Sequence, residues 1–140
     1  MEEMQSISDL ENWMYENCYG ESYAIGSRNI YEGFGLKKEN ENYIWYFTER
    51  GQDNDLKKFT SEKEAVDYAY HQIKSDKYAS RHLLAMVKEK REAENIQSAL
   101  TARKIAFETD TIPYGGLQDM RVRIFVFGCD IKRASDLKKT

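Results

Sequence analysis

At 140 residues the chain is long enough for one domain with one core and too short for two ordinary ones. Hydrophobic residues make up 41% and charged residues 32%, the balance of a folded, soluble chain, and a single proline with no Ser/Gly/Pro tract leaves no obvious linker. The net charge of −3 hides an asymmetry: residues 1–27 carry Glu2, Glu3, Asp9, Glu11, Glu16 and Glu21 with no Lys or Arg, whereas residues 28–140 hold 21 basic against 18 acidic side chains.

The start, Met1-Glu2-Glu3-Met4-Gln5, is acidic and lacks the apolar stretch of a signal peptide. No apolar run approaches the roughly 18 residues needed to span a bilayer. A cytosolic protein without membrane contact is therefore expected. Ser8-Asp9-Leu10-Glu11 fits a capping box and predicts a helix starting at Ser8, with Leu10, Trp13, Met14 and Cys18 as its apolar stripe and Gly20 as its end.

Strands are predicted next. Ser22 to Gly26 forms a short one. In Ile30 to Leu36 the alternation puts Ile30, Phe34 and Leu36 on one face and the glycines on the other, a shallow face suited to close packing. Lys37 to Asn42 is a polar hairpin loop. Tyr43 to Thr48 is aromatic on both faces, as in a central strand. Gly51 to Asp55 is expected to turn the chain, and Leu56 to Phe59 to return as a short strand.

Ser61-Glu62-Lys63-Glu64 opens a second helix with the stripe Ala65, Val66, Ala69 and Ile73, ending near Ser75-Asp76. Lys77 to Met86 fits a further helix, although Leu83 to Val87 also fits a strand. A third amphipathic segment places Ala93, Ile96, Ala99, Leu100 and Arg103 at helical spacing. Ile105 to Phe107 and Val122 to Phe127 are predicted strands, joined by a long loop with Pro113, Gly115 and Gly116. The basic tail 132–140 is expected to fray. The predicted fold is a single α+β domain, a mostly antiparallel sheet of about four to six strands packed with three or four helices.

The chemistry on offer is sparse. His71 and His82 would lie about 16 Å apart on one helix, far beyond a shared metal, and neither has a ligand-spaced neighbour. Cys18 and Cys129 are distant in sequence and read as reduced, buried hydrophobes. A Cys129–His82 nucleophilic pair is conceivable only through the fold, and a structural thiol is the default for Cys129. Gly33-Phe34-Gly35 lacks the third glycine of a dinucleotide loop. No enzymatic activity, metal or cofactor is expected. Alternation would place Arg121, Arg123, Phe125 and Phe127 on one strand face, an arrangement found in single-stranded nucleic-acid platforms. Against that stands a sequence pI of about 5.5. The surplus of tyrosine fits a protein-binding surface better.

Several segments carry a resemblance. They are Tyr43-Ile44-Trp45-Tyr46-Phe47-Thr48-Glu49-Arg50-Gly51, then Phe59, Ser61-Glu62 and Glu64-Ala65-Val66. Asp76, Tyr78-Ala79 and His82-Leu83 follow, and Pro113-Tyr114-Gly115-Gly116 with Arg121 to Gly128 completes the set. Across residues 41–131 the chain resembles a small family of bacterial immunity proteins, the fifty-ninth of the numbered series, antidotes to polymorphic toxins. Residues 1–40 form a variable N-terminal part outside that likeness. The resemblance implies an α+β fold, no catalysis, and a cognate toxin C-terminal domain as partner. Neither nucleic acid nor membrane is expected as a partner, and the sequence leaves the oligomeric state open, with a monomer the default. The charge asymmetry assigns steering of a basic toxin to Asp9, Glu11 and Glu16 on the first helix. The loop with a tyrosine between carboxylates assigns closer contacts to Asp110, Tyr114 and Asp119. An adaptor or regulator without a toxin, and a small nucleic-acid-binding protein, are the alternative readings.

Overall fold

Two serines compete to open the first helix, and the one nearer the N-terminus wins. The computed structural model describes residues 4–20, 22–26 and 29–139. In it α1 (Ile7–Glu16) is capped by Ser6. The Ser6 hydroxyl accepts from the Asp9 amide at 3.1 Å, and the Asp9 carboxylate accepts from the Ser6 amide at 3.2 Å. The capping box expected at Ser8 thus lies two residues earlier, with Asp9 as its reciprocal arm. Nor does Gly20 end the helix. Cys18 adopts a left-handed φ of 56°, its amide donates to the Tyr15 carbonyl, and the Tyr19 amide donates back to the Met14 carbonyl. That is a Schellman closure two residues before the glycine.

The chain divides into two compact units, Met1–Ala79 and Ser80–Thr140. In the first, β1 (Tyr23–Ile25), β2 (Glu32–Glu39), β3 (Asn42–Glu49) and β4 (Gln52–Phe59) form a sheet in sequential order. The β1–β2 pair is parallel and the others antiparallel. The hairpins are tighter than the polar loops suggested. Glu39 pairs with Asn42 across two residues, and Glu49 with Gln52 across Arg50-Gly51. Positive φ at both Arg50 and Gly51 (54° and 78°) makes the latter a type I′ turn, whose twist matches that of the strands. β4 therefore begins at once, where a turn over Gly51 to Asp55 was expected.

The glycine face predicted for β2 is real, although Ile30 precedes the strand. Gly35 pairs with Tyr46 across the β2–β3 ladder and with Ala24 across β1–β2. The opposite face carries Phe34, Leu36, Tyr43, Trp45 and Phe47. It packs against α2 (Glu62–Ser75), whose stripe Ala65, Val66, Ala69, Tyr70 and Ile73 is fully or almost fully buried. Ser61 caps α2 as predicted, its hydroxyl accepting from the Glu64 amide at 3.3 Å. The neighbouring Glu62 carboxylate accepts from the Ile7 amide and ties the start of α1 to that of α2. Leu10 and Met14 complete this core.

A short 3-10 turn (Lys77–Ser80) precedes the second unit. The apolar run Leu83 to Val87 belongs to strand β5 (Arg81–Val87), not to a helix. α3 (Lys90–Ala102) buries Ala93, Ile96 and Leu100, three of the predicted stripe positions. β6 (Phe107–Pro113) and β7 (Met120–Phe127) form a hairpin whose loop is only residues 114–119, shorter than expected, because β6 continues past Phe107. The sheet order is β5-β7-β6, antiparallel throughout. Leu84, Ile124, Val126 and Leu100 centre its core. The tail does not fray. α4 (Asp130–Arg133) and a 3-10 turn (Ser135–Leu137) fold it back, Ala134 is fully buried, and Lys139 bonds the β5 backbone. The fold is α+β and mostly antiparallel, with four α-helices and seven strands shared between two sheets among the described residues.

Candidate partner-binding surface

The six residues singled out from the sequence fall into two groups, three on α1 and three on the β6–β7 hairpin. On α1, Asp9 is exposed but already employed. Its carboxylate accepts from the amides of Gln5 and Ser6, and these bonds, that to Gln5 foremost, hold its pKa below the usual aspartate value. The Glu11 carboxylate lies against Gly26, within 2.6 Å of where a β-carbon would stand. Glu16 is exposed in the last turn. Glu2, Glu3 and Glu21, which share the acidic segment, lie outside the described residues. Asp9 is thus a helix-capping group first, and removing its charge also loosens α1.

The hairpin is better built. The β6–β7 register places Asp110 opposite Arg123. The guanidinium donates to that carboxylate through two of its nitrogens, Nε at 2.7 Å and Nη2. At the loop, the Gly116 amide donates to the Pro113 carbonyl, the Asp119 amide to the Gly116 carbonyl and the Gly115 amide to the Asp119 carbonyl. Asp119 receives Arg121 Nε at 2.7 Å and Nη2 at 3.2 Å. A β-carbon at residue 115 would come within 2.6 Å of that carboxylate, which accounts for Gly115. Arg121 also lies over the Tyr114 ring at 4.7 Å.

Both carboxylates of the loop expected to make closer contacts are therefore already paired within the hairpin. What the loop presents instead is apolar: Tyr114 is 62% exposed, Leu117 86% and Met120 39%. Sequence reasoning missed Leu117 and Met120. A lone exposed leucine is ordinary. Three large apolar side chains within seven residues of a hydrogen-bonded loop become visible as a group only once the hairpin register is known.

Arg121, Arg123, Phe125 and Phe127 do share a face, as the alternation predicted. Phe125, however, is only 5% exposed, with the Arg81 guanidinium 4.0 Å and that of Arg123 5.0 Å from its ring centre. A ring covered in this way offers no platform to a base.

Cys18 and Cys129 are half-buried and neither is a free thiol. This corrects the expectation of reduced, buried cysteines. Cys18 lies in the helix closure, off the buried stripe of α1, and Cys129 leads into α4. Without a free thiol at Cys129, the Cys129–His82 pair lacks its nucleophile. His71 on α2 is exposed and bonds the Asp67 carbonyl through Nδ1, and His82 stands opposite Val126 in the sheet. Among the described residues no group of three or more His, Cys, Asp or Glu side chains is placed to hold a metal ion. Among the described residues no helix is long and apolar enough to cross a membrane.

The arginine pairs lead to a measurable result. Asp110 is held below the usual carboxylate range chiefly by its hydrogen bond to Arg123, and Asp119 by that to Arg121. A carboxylate depressed on folding stabilises the native state above its unfolded pKa of about 3.9, and that contribution is lost as pH falls through the depressed value. In carbon-detected NMR titration both side chains should titrate below an ordinary aspartate. Arg123→Ala should return Asp110, and not Asp119, to the ordinary range. An unshifted Asp110 in the parent protein would refute the pairing.

Compared with known proteins, the chain matches no family model, no curated protein and no solved structure.

Proposed function

We propose that this chain is an immunity protein that binds a cognate polymorphic-toxin domain and neutralises it by occluding its active cleft or another essential surface. The observation that supports the reading best is the β6–β7 loop. Its backbone is held by its own hydrogen bonds, its charges are cancelled internally, and Tyr114, Leu117 and Met120 are presented to solvent. A pre-ordered apolar tip loses little entropy on docking, and tyrosine is a common interface anchor. The resemblance carried by residues 41–131 supplies the toxin as the partner. Action in the cytosol belongs to the same proposal. The lack of free thiols is the one feature that opposes it.

The test is co-production with the toxin domain encoded beside the gene. Growth should be rescued, through a one-to-one complex in the nanomolar range, about −12 kcal/mol. Tyr114→Ala and Leu117→Ala should each speed dissociation by about tenfold or more, the effect of an anchor worth roughly 1.4–2 kcal/mol. Glu11→Gln with Glu16→Gln, leaving the Asp9 cap in place, should slow association only at low salt. Failure of the parent protein to protect would end the toxin reading. Protection unaffected by Tyr114 and Leu117 would move the contact off the hairpin. The adaptor reading uses the same surface and predicts binding without rescue.

A further inference from the structure

Like charges directly opposite each other across an antiparallel ladder destabilise it, because their β-carbons stand only about 4.5–5.5 Å apart. The first sheet keeps one such pair. Glu32 of β2 faces Glu49 of β3 at the end of the ladder, beside the Arg50-Gly51 turn. Both side chains are exposed. Among the described residues neither carboxylate has an ion pair or a hydrogen bond, and Arg50 of the adjoining turn bonds neither. Other carboxylates of this sheet are served: Glu39, Asp53 and Asp55 share the Lys37 ammonium at 3.6, 3.2 and 3.6 Å.

Aromatic rings come next along the same face. Alternation puts Phe34 behind Glu32 and Phe47 behind Glu49, and the two phenylalanines pair across the ladder. Their rings meet edge-on at 5.0 Å, and Phe34 lies nearly parallel to Trp45, at 8° and 5.8 Å. Trp45 is buried, whereas Phe34 is 38% exposed and Phe47 half-buried. Neither phenylalanine belongs to the core cluster that α2 closes. The exposed end of a buried aromatic stack therefore stands beside two unpaired carboxylates.

A ring bordered by carboxylates has a specific complement. A guanidinium is planar, stacks on aromatic faces, and carries five N–H donors in a fixed fork that can serve two carboxylates at once. Seated between Glu32 and Glu49, it would also cancel their repulsion. The spot is a surface and not a pocket, since Glu32, Phe34 and Glu49 are all exposed, so a free small cation would gain little there. Tyr31, 80% exposed and next to Glu32 in the chain, adds contact area for a larger occupant. We propose that this end of the sheet is a docking surface for an arginine side chain of a partner protein, with the guanidinium lying on Phe34 and bonding Glu32 and Glu49. The inference rests on the sheet face itself and not on the toxin reading.

The experiment uses the full chain, labelled with nitrogen-15, and a short capped peptide with one arginine between two leucines. Amide shifts are expected over residues 31–35 and 46–50, together with shifts of the Phe34 ring protons. The same peptide with citrulline, which keeps the shape of arginine and lacks its charge, should leave these signals unmoved. Free arginine should bind several-fold more weakly than the peptide. Glu32→Gln with Glu49→Gln should weaken peptide binding about fivefold or more, the combined effect of two exposed charge pairs. That double variant should keep or raise the thermal midpoint, because it removes a repulsion, and so its loss of binding is not a loss of fold. The citrulline comparison on the parent protein keeps the test decisive if the variant misfolds. The proposal is overturned if the arginine peptide produces no shifts, if the shifts lie elsewhere, if the citrulline peptide acts alike, or if the folded double variant binds as well as the parent. Free arginine binding as tightly as the peptide would make this a small-molecule site and overturn the protein occupant. Movement of the same amides with protein concentration alone would make a second copy the occupant and overturn it too.

Discussion

Trp45→Ala is expected to cost about 3–5 kcal/mol of folding free energy, the range for truncating a large buried aromatic. Trp45 is 3% exposed at the centre of the first sheet. Its ring stacks on Phe34 at 5.8 Å and Tyr23 at 6.0 Å, and meets Tyr68 of α2 edge-on at 5.6 Å. Each such pair is worth about 0.5–1.5 kcal/mol beyond the area it buries. The residue therefore joins three strands to a helix. With total stability of about 5–15 kcal/mol in ordinary domains, the loss is a large fraction. The urea midpoint of the first unit should fall by more than about 1 M. Trp45→Phe, which keeps a ring in the stack, should fall by less. A midpoint for the alanine variant within about 0.3 M of the parent's would show that the cluster contributes little.

Gly35→Ala is the second large expected effect, by the opposite mechanism. A β-carbon there would lie 2.7 Å from the end of the Tyr46 ring and 2.8 Å from the Ala24 β-carbon. The tyrosine tip can swing away, at the cost of its seat beneath the Lys37 ammonium 4.7 Å from the ring centre. The Ala24 methyl cannot, since it is fixed to the strand paired on the other side. Overpacking of this kind costs about 1–3 kcal/mol. The diagnostic variant is Ala24→Gly with Gly35→Ala, which moves the methyl across the ladder and leaves only the Tyr46 contact. It should recover a substantial part of the thermal midpoint lost by Gly35→Ala. Simple additivity of the two changes would show that the Ala24 contact is not the source of the cost.

Where side-chain periodicity spoke, the fold was legible. The α2 cap and stripe, the opposed faces of β2 and the shared face of Arg123 and Phe125 all follow from period 3.6 or period 2. Other elements had no such voice. Ser6 and Ser8 each stand three residues before an acid, and only the packed helix chooses between them. Leu83 to Val87 is continuously apolar, a pattern common to buried strands and buried helices. β4 contains almost no apolar residue, because it is an edge strand held by backbone bonds to β3 and by charge pairs such as Lys37–Asp53 at 3.2 Å. The seating of the tail on β5 uses the Lys139 backbone, which leaves no trace in residue type. At the candidate surface, Tyr114 and the carboxylates were visible as residues. Their pairing was not, since Asp110 and Arg123 are thirteen positions apart and meet only through the hairpin register.

The different wiring of the two sheets has a consequence for synthesis. In the first unit each strand pairs with its sequence neighbour, so the sheet can assemble in the order in which the ribosome delivers it. In the second, β5 must wait for β7, made some forty residues later, and its outer edge waits further for Lys139. At about 5–20 residues per second the first strand of that unit spends several seconds without its partners. Its apolar run Leu83 to Val87 is exposed throughout that interval. A nascent-chain chaperone should therefore favour β5 over every other segment of the protein.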